Sequence, residues 1–118
     1  MPETVRHVLL LNLVDDPAAI ARYEAWHADG ALPPAIGRSI RGAGIAAMEI
    51  YRAGTRLVMV METGSGFDPA AKAAADIADP DVQAWEALMA SVQRPVPSAG
   101  PGDKWTTAQR IFTLAAQP

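Results

Sequence analysis

Short runs of branched apolar residues alternate with stretches of helical periodicity along this chain. The first run, residues 6–14, is rich in leucine and valine and predicts a buried strand. Asp16 and Pro17 follow it, and this pair is typical of a helix start because the aspartate caps the first turn and the proline fits within it. Residues 17–28 are therefore expected to form the first helix, which ends near Gly30.

The middle of the chain predicts a second helix and then a β-hairpin. The two prolines at residues 33–34 break the first helix, and a short helical segment extends through Ile40. Residues 45–52 and 56–62 have strand-like patterns. The Ala-Gly-Thr linker between them, residues 53–55, has the length and composition of a hairpin turn.

The last part of the chain predicts two more helical segments and a final strand. After a loop at residues 64–69, an alanine-rich stretch favours helix, and Asp79 with Pro80 starts another helix. Four large side chains there have the spacing of a core-facing stripe: Trp85, Leu88, Met89 and Val92. Residues 95–102 contain three prolines and two glycines and predict a loop, and residues 110–114 are the final strand candidate.

The predicted order of elements is strand, helix, strand, strand, helix, strand. This is the split βαβ or ferredoxin-like arrangement of the α+β class. In the third strand, Met59 and Met61 share one face while Val58 and Val60 share the other. Because the helices cover only one face of such a sheet, the apolar residues on the second face predict that another copy covers it. We expect a homodimer of the dimeric α+β barrel type, with one concave site in each subunit.

Composition limits the classes to which the protein can belong. The 118 residues are expected to form one globular domain, 1–118, since half of them are apolar. A net charge of −3 gives no basis for binding nucleic acid, and the absence of cysteine excludes disulfides and thiolate metal sites. No apolar run is long enough to cross a bilayer and no leader pattern opens the chain, so we expect no membrane partner and a cytoplasmic location.

Tyr23 and His27 are the foremost candidate functional residues. They lie four positions apart in the first predicted helix and so share one of its faces. The imidazole is the side chain whose ordinary pKa best suits proton transfer near neutrality, and the phenol beside it can bind a polar small molecule. The same spacing also fits a tyrosine packed in the core with a histidine at its polar edge.

Glu49 and Tyr51 are a second candidate pair. Strand alternation points both side chains to one face of the hairpin and Met48 and Ile50 to the other. A carboxylate beside a phenol can serve a sugar hydroxyl and its proton. The alternatives are that Glu49 faces solvent or pairs with Arg56 across the hairpin.

Aromatic residues supply the remaining candidates. Trp85 either offers an apolar platform to the C–H face of a sugar or belongs to the core. Lys104 and Trp105 follow the proline-rich loop, a position typical of ligand binding, although an interface anchor is the alternative. His7 is interpreted as structural, since no second ligand stands at metal spacing, and we expect neither a metal nor a cofactor.

Several motifs occur in a fixed order along the chain. They are Tyr23-x-x-x-His27, Gly44-Ile45-x-x-Met48-Glu49-Ile50-Tyr51-Arg52, Arg56-Leu57-x-Met59-Val60-Met61-Glu62, Trp85-x-x-Leu88-Met89 and the stretch from Trp105 to Phe112. No single motif is specific, but their order and spacing resemble the L-rhamnose mutarotase family over residues 6–114. The resemblance implies a dimeric α+β barrel that needs no metal and interconverts the anomers of a deoxy sugar. It also implies that Tyr23 contacts the substrate, that His27 donates a proton, and that Trp85 matches a tryptophan of the family's second helix.

The chain departs from that family at identifiable positions. Residues 32–33 are Leu-Pro where the family has Trp-Pro, and Glu86 stands where the family has the second of two adjacent tryptophans. Met48 occupies the place of a substrate-binding tyrosine. The Met-Glu-Ile-Tyr-Arg sequence at 48–52 and the Gly-Phe-Asp-Pro loop at 66–69 look more like the branch associated with L-fucose.

Together these features predict a cofactor-free sugar 1-epimerase acting on a 6-deoxy-aldose, with L-fucose favoured over L-rhamnose. His27 is expected to protonate the ring oxygen and Glu49 to act as the base. The residues expected to bind the sugar are Tyr23, Tyr51, Trp85, Lys104 and Trp105. Two alternatives stay open: a non-catalytic dimeric module that binds a small ligand, and a cofactor-independent monooxygenase of similar fold, which would need a more apolar cavity.

Overall fold

The computed structural model describes residues 3–118. Its strands are β1 (Val5–Leu13), β2 (Ile45–Ala53), β3 (Arg56–Thr63), β4 (Gln93–Arg94) and β5 (Thr106–Thr107). Its helices are α1 (Pro17–Trp26), α2 (Pro34–Gly42), α3 (Pro69–Ala78) and α4 (Pro80–Ala90), and a 3₁₀ turn spans Leu114–Ala116. The predicted elements match up to the end of α4.

An aspartate followed by a proline starts three of the helices. The Oδ1 of Asp16 accepts a hydrogen bond from the backbone N–H of Ala18 at 3.1 Å, and Asp68 and Asp79 cap α3 and α4 in the same way. The proline after each cap has a φ that suits the first turn and no N–H to leave unpaired. The helix starts predicted at Asp16 and Asp79 are therefore confirmed.

The strands form one antiparallel sheet in the order β2-β3-β1-β4, with β5 also paired to β1. On the side of β1 away from β3, β4 pairs with Asn12 and Leu13, and β5 pairs with Leu9 and Leu10. Two short strands, separated by residues 95–105, thus fill the fourth strand position. The strand order and the helices on one face confirm the predicted ferredoxin-like α+β fold.

The final strand lies earlier in the chain than the pattern predicts. Residues 110–114 contain no strand, so that prediction was wrong. The physical reason is that β4 and β5 already occupy the free edge of β1. The last backbone bond to that edge is donated by the N–H of Ala108 to the carbonyl oxygen of Val8, at 2.7 Å.

All four helices lie on one face of the sheet, and the core forms there. Leu11 and Leu57, opposite one another on β1 and β3, are fully buried in a cluster that includes Tyr23 of α1 and Met89 of α4. The stripe predicted for α4 is confirmed at Met89 and wrong at Leu88, whose side chain is 40% exposed. Within residues 3–118, no helix combines the length and the apolar character that crossing a membrane requires.

No helix of residues 3–118 covers the opposite face of the sheet. Alternation along the central strands places four branched apolar side chains on that face: Val8, Leu10, Val58 and Val60. The segment after β5 adds three exposed apolar side chains, Ile111, Phe112 and Leu114, which are 94%, 64% and 76% exposed. Apolar surface of this extent is typical of an interaction face.

Candidate active site

A cavity of about 480 Å³ lies between the helix-covered face of the sheet and the helices. Its floor consists of five apolar side chains from three strands: Leu9, Met48, Ile50, Met59 and Met61. Its walls come mainly from the helices and include Ile36, Ile40, Trp85 and Met89. A largely apolar cavity of this size with a few polar groups is typical of a site for a small molecule.

His27, the residue that ends α1, borders the cavity. Its Nδ1 lies 2.7 Å from the backbone carbonyl oxygen of Tyr23, one turn earlier. Because a carbonyl only accepts, Nδ1 donates in this bond, and Nε2, which bonds to nothing within residues 3–118, is left for a ligand. The imidazole centroid is 4.2 Å from the Tyr23 ring and 5.4 Å from the Trp85 ring. The backbone bond and the two rings together fix its orientation.

Tyr23 is both a core residue and a cavity residue, the two interpretations that the sequence left open. It is 3% exposed and belongs to the core cluster, yet it also lines the cavity beside His27. Burial raises the pKa of its phenol, the negative charge of Glu86 adds to this, and the hydrogen bond from Gln93 opposes it. The hydroxyl therefore stays protonated at neutral pH and can donate to a ligand.

Several polar residues of the cavity were missed as site residues by sequence reasoning, among them Gln93 and Glu86. Gln93 is 8% exposed and its Nε2 donates to the Tyr23 hydroxyl at 3.4 Å. Glu86 lines the cavity from α4, and its Oε2 accepts a hydrogen bond from Lys104 at 2.9 Å. The departure from the family's second tryptophan pointed to Glu86. No sequence motif marks Gln93, whose place depends on the pairing of β4 with β1.

The predicted aromatic residues both reach the cavity, while the lysine does not. Trp85 and Trp105 line it and pack against the core cluster. Lys104 is absent from the lining and forms its ion pair with Glu86 at the surface, where the two side chains are 36% and 48% exposed. A pair this exposed is weakly held, so Glu86 can exchange Lys104 for another partner.

Glu49 does not lie where the predicted mechanism needs it. Glu49 and Tyr51 share one face of β2, as predicted, but this is the face opposite Ile50, which lies on the cavity floor. The Tyr51 hydroxyl donates to Glu49 Oε1 at 3.0 Å, and this bond raises the pKa of the exposed phenol. Glu49 lines neither this cavity nor the smaller depression beside it, so the structure does not bring its carboxylate together with His27.

Tyr51 is positioned differently from Glu49. It borders a second depression, of about 430 Å³, whose lining also includes Tyr23, His27 and Arg52. Its side chain is 54% exposed. Tyr51 therefore lies at the margin of the site and not within the main cavity.

A second polar group in the cavity wall ties two helices together. The Oγ of Ser39 on α2 donates to Asp76 Oδ1 on α3 at 3.2 Å, and the Nζ of Lys72 binds both oxygens of Asp76, at 3.0 and 2.9 Å. Asp76 is thus fully engaged. Of the two carboxylates that line the main cavity, only Glu86 is open to a ligand.

The described residues offer little to hold a metal ion. Residues 3–118 contain no group of three or more histidine, aspartate or glutamate side chains arranged to bind one. His7, the other histidine, pairs through Nε2 with the Oγ1 of Thr63 at 2.9 Å. This partner fits the structural role predicted for it.

Comparison with known proteins gives a consistent result. The family described as L-rhamnose mutarotase matches residues 6–114. An L-fucose mutarotase from Xanthomonas campestris pv. campestris is 52% identical over 106 residues, which cover 90% of this chain and 85% of that protein. The crystal structure of an L-rhamnose mutarotase from Formosa agariphila shares the fold, with a TM-score of 0.65 at 16% identity, over 93% of this chain and 98% of that one. The chain therefore belongs to the L-rhamnose mutarotase family and is an isomerase that acts on carbohydrates.

Proposed function

We propose that this protein interconverts the α and β anomers of L-fucose by acid/base ring opening, without a cofactor, in the cytoplasm. The observation that carries the proposal is the placement of His27, whose free Nε2 is held at the cavity wall between Tyr23 and Trp85. The choice of L-fucose is supported by the 52% identical relative, which is an L-fucose mutarotase.

Anomer exchange requires two proton transfers. The ring oxygen gains a proton as the anomeric hydroxyl loses one, the C1–O5 bond breaks, and the open aldehyde forms. In the proposal, protonated His27 gives its Nε2 proton to the ring oxygen, and Glu86 accepts the anomeric proton. After rotation about C1–C2, the O5 hydroxyl attacks the other face of the aldehyde. His27 regains its proton and Glu86 returns the other, so both residues end in their starting states.

The remaining cavity residues bind and orient the sugar in this proposal. The Tyr23 hydroxyl, kept protonated by burial, donates to a sugar hydroxyl. Trp85 and Trp105 present apolar surfaces suited to the deoxy methyl group and the C–H face of the ring. The methionines of the cavity floor add apolar surface for the methyl group, while Tyr23, Glu86 and Gln93 supply polar groups for the hydroxyls.

Saturation-transfer NMR on four sugars tests the substrate assignment. L-fucose, L-rhamnose, D-glucose and D-galactose are incubated in parallel with the protein, and transfer between the α and β anomeric protons is recorded. We expect the fastest enzyme-dependent exchange with L-fucose and slower exchange with L-rhamnose. Binding of a sugar without any accelerated exchange would instead support the non-catalytic module.

We also propose that the protein is a homodimer that buries the sheet face opposite the helices. Val8, Leu10, Val58 and Val60 supply the apolar centre of that face. The exposed C-terminal side chains Ile111, Phe112 and Leu114 supply further surface for a second copy to cover. A two-fold arrangement pairs the same surface in both subunits.

Exhaustive dialysis against EDTA should leave the rate of anomer exchange unchanged. The reason is that the proposed proton donor and acceptor are both side chains, and the cavity needs no metal to hold them. The exchange rate is measured before dialysis, after dialysis and after addition of Mg²⁺, Mn²⁺ or Zn²⁺. Loss of activity that a divalent ion restores would contradict the proposal.

Tyr23→Phe should weaken binding of L-fucose more than it slows the chemical step. The hydroxyl is a ligand for the sugar in the proposal, and loss of one neutral hydrogen bond costs about 0.5–1.5 kcal/mol when its partner finds another. KM is therefore expected to rise by about 2–13-fold with kcat within about twofold of wild type. A loss confined to kcat would assign the hydroxyl to proton transfer.

A further inference from the structure

Gln93, the first residue of β4, presents an unpaired polar atom at the cavity. Its side chain is more than nine-tenths buried, yet its Oε1 has no hydrogen-bond partner within residues 3–118. Thr106 Oγ1 is the other buried polar side-chain atom without a partner in this part of the chain. Gln93 lines the cavity and Thr106 does not. The orphan oxygen of Gln93 is thus the one that a ligand in the cavity can reach.

A buried amide oxygen without a partner is unfavourable because it has lost its hydrogen bonds to water and has formed no hydrogen bond to the protein in their place. In the part of the chain that the structure describes, the one side-chain partner of the Gln93 amide is the Tyr23 hydroxyl, whose oxygen accepts a hydrogen bond from Nε2 at 3.4 Å. Leu13, the partner of Gln93 on β1, and Val92, the residue before it, are apolar and offer the amide no side-chain hydrogen bond. The missing partner therefore has to come from the cavity.

A hydroxyl group is the best hydrogen-bond partner for the free end of the Gln93 amide. Rotation of the amide brings either its oxygen or its NH₂ to the free side, and a hydroxyl can donate to the first or accept from the second. The bond from Gln93 also occupies the Tyr23 oxygen, which leaves the Tyr23 proton free to point elsewhere. One amide can thus orient Tyr23 with one end and bind the ligand with the other.

We infer that Gln93 is a specificity-determining residue that binds one ring hydroxyl of the monosaccharide through its side-chain amide and orients Tyr23 toward a second. This inference rests on the proposed function and deepens it. His27 and Glu86 act on O5 and O1, so the hydroxyl bound by Gln93 is one of those at C2, C3 or C4.

The test combines a variant with a series of ligands. Gln93→Met keeps the length of the side chain and removes both hydrogen-bonding ends. Gln109→Met, at an exposed position after β5 and outside the cavity lining, is the matched control. KM and kcat are measured for L-fucose and for three analogues that each lack the hydroxyl at C2, C3 or C4. We expect Gln93→Met to raise KM for L-fucose by about 3–10-fold, with kcat reduced less. The control should match wild type.

The analogues distinguish binding from a structural role. In the wild type, one analogue should bind about 3–10-fold more weakly than L-fucose because it lacks the partner of Gln93. In Gln93→Met, that analogue and L-fucose should bind equally. Gln93 does not bind the sugar if the affinity difference between each analogue and L-fucose is the same in the variant as in the wild type. The same conclusion follows if the KM for L-fucose is equal in the two proteins.

If Gln93→Met does not fold, Gln93→Glu replaces it in the test. This variant keeps an oxygen acceptor at the same place, so it should still bind that analogue more weakly than L-fucose. Equal binding of the two sugars by Gln93→Glu would refute the inference.

Two further outcomes can be distinguished. A wild type that exchanges anomers while Gln93→Met behaves identically refutes the role of Gln93 alone. A wild type that neither binds nor exchanges any of these sugars refutes the proposed function and this inference with it.

Discussion

His27→Gln should slow anomer exchange of L-fucose by about 10²–10⁴-fold, the range expected when a positioned proton donor is lost. Glutamine keeps a polar end of similar reach but cannot carry a proton to the ring oxygen. The imidazole ring is tilted against the Tyr23 ring and meets the Trp85 ring edge-on. Since glutamine is of similar size and can fill the same space, the fold and the affinity for sugar should change little. The measurement is exchange NMR between the α and β anomeric protons at matched concentrations of folded protein.

His7→Gln is the matched control for that variant. His7 lies on β1, bonds to Thr63 and is absent from the cavity lining, so its replacement should leave the exchange rate within about twofold of wild type. If His27→Gln exchanged anomers as fast as wild type, His27 would be only a packing residue at the polar edge of the core, and another group would have to supply the proton.

Val60→Asp should convert the proposed dimer into monomers. Val60 lies on β3 between Val8 and Glu49, on the face that a second copy is proposed to cover. Burial of an unpaired carboxylate in such an interface costs several kcal/mol, enough to lower the association constant by a factor of 10² or more. In the monomer the same side chain can turn to water, so the chain should stay folded. Light scattering should give twice the chain mass for wild type and one chain mass for the variant.

Ile77→Asp is the control for the dimer prediction. Ile77 is also apolar, but it is 76% exposed on α3, which lies on the helix-covered side of the sheet. Its substitution should leave the mass at two chains. A wild type that stays a compact monomer at micromolar concentration would contradict the dimer and the barrel built from it.

Local chemistry explains why much of the fold is predictable. Each of two helix starts is specified by an aspartate and the proline after it, Asp16-Pro17 and Asp79-Pro80. The hairpin turn at residues 53–55 is specified by Gly54, which adopts a φ of 60°. The pairing of Tyr23 with His27 is equally local, since one turn of helix brings the two rings together.

What could not be predicted depends on contacts between distant residues. Alternation correctly places Glu49 with Tyr51, but the strands are apolar on both faces, so the pattern cannot tell which face meets the helices. The edge of β1 is likewise filled by two strands of only two residues each, which are too short to show an alternating pattern of apolar and polar positions. Gln93 enters the cavity only because this edge pairing holds it there, and for that reason no motif identified it.

The central claim is that the protein catalyses the exchange and does not merely bind one anomer. Polarimetry starting from a single pure anomer of L-fucose tests it most directly, with the protein at a concentration far below that of the sugar. The account predicts that the rate constant for approach to equilibrium rises in proportion to protein concentration while the final optical rotation stays the same, since a catalyst cannot move an equilibrium. A rate constant that does not depend on protein concentration would contradict it.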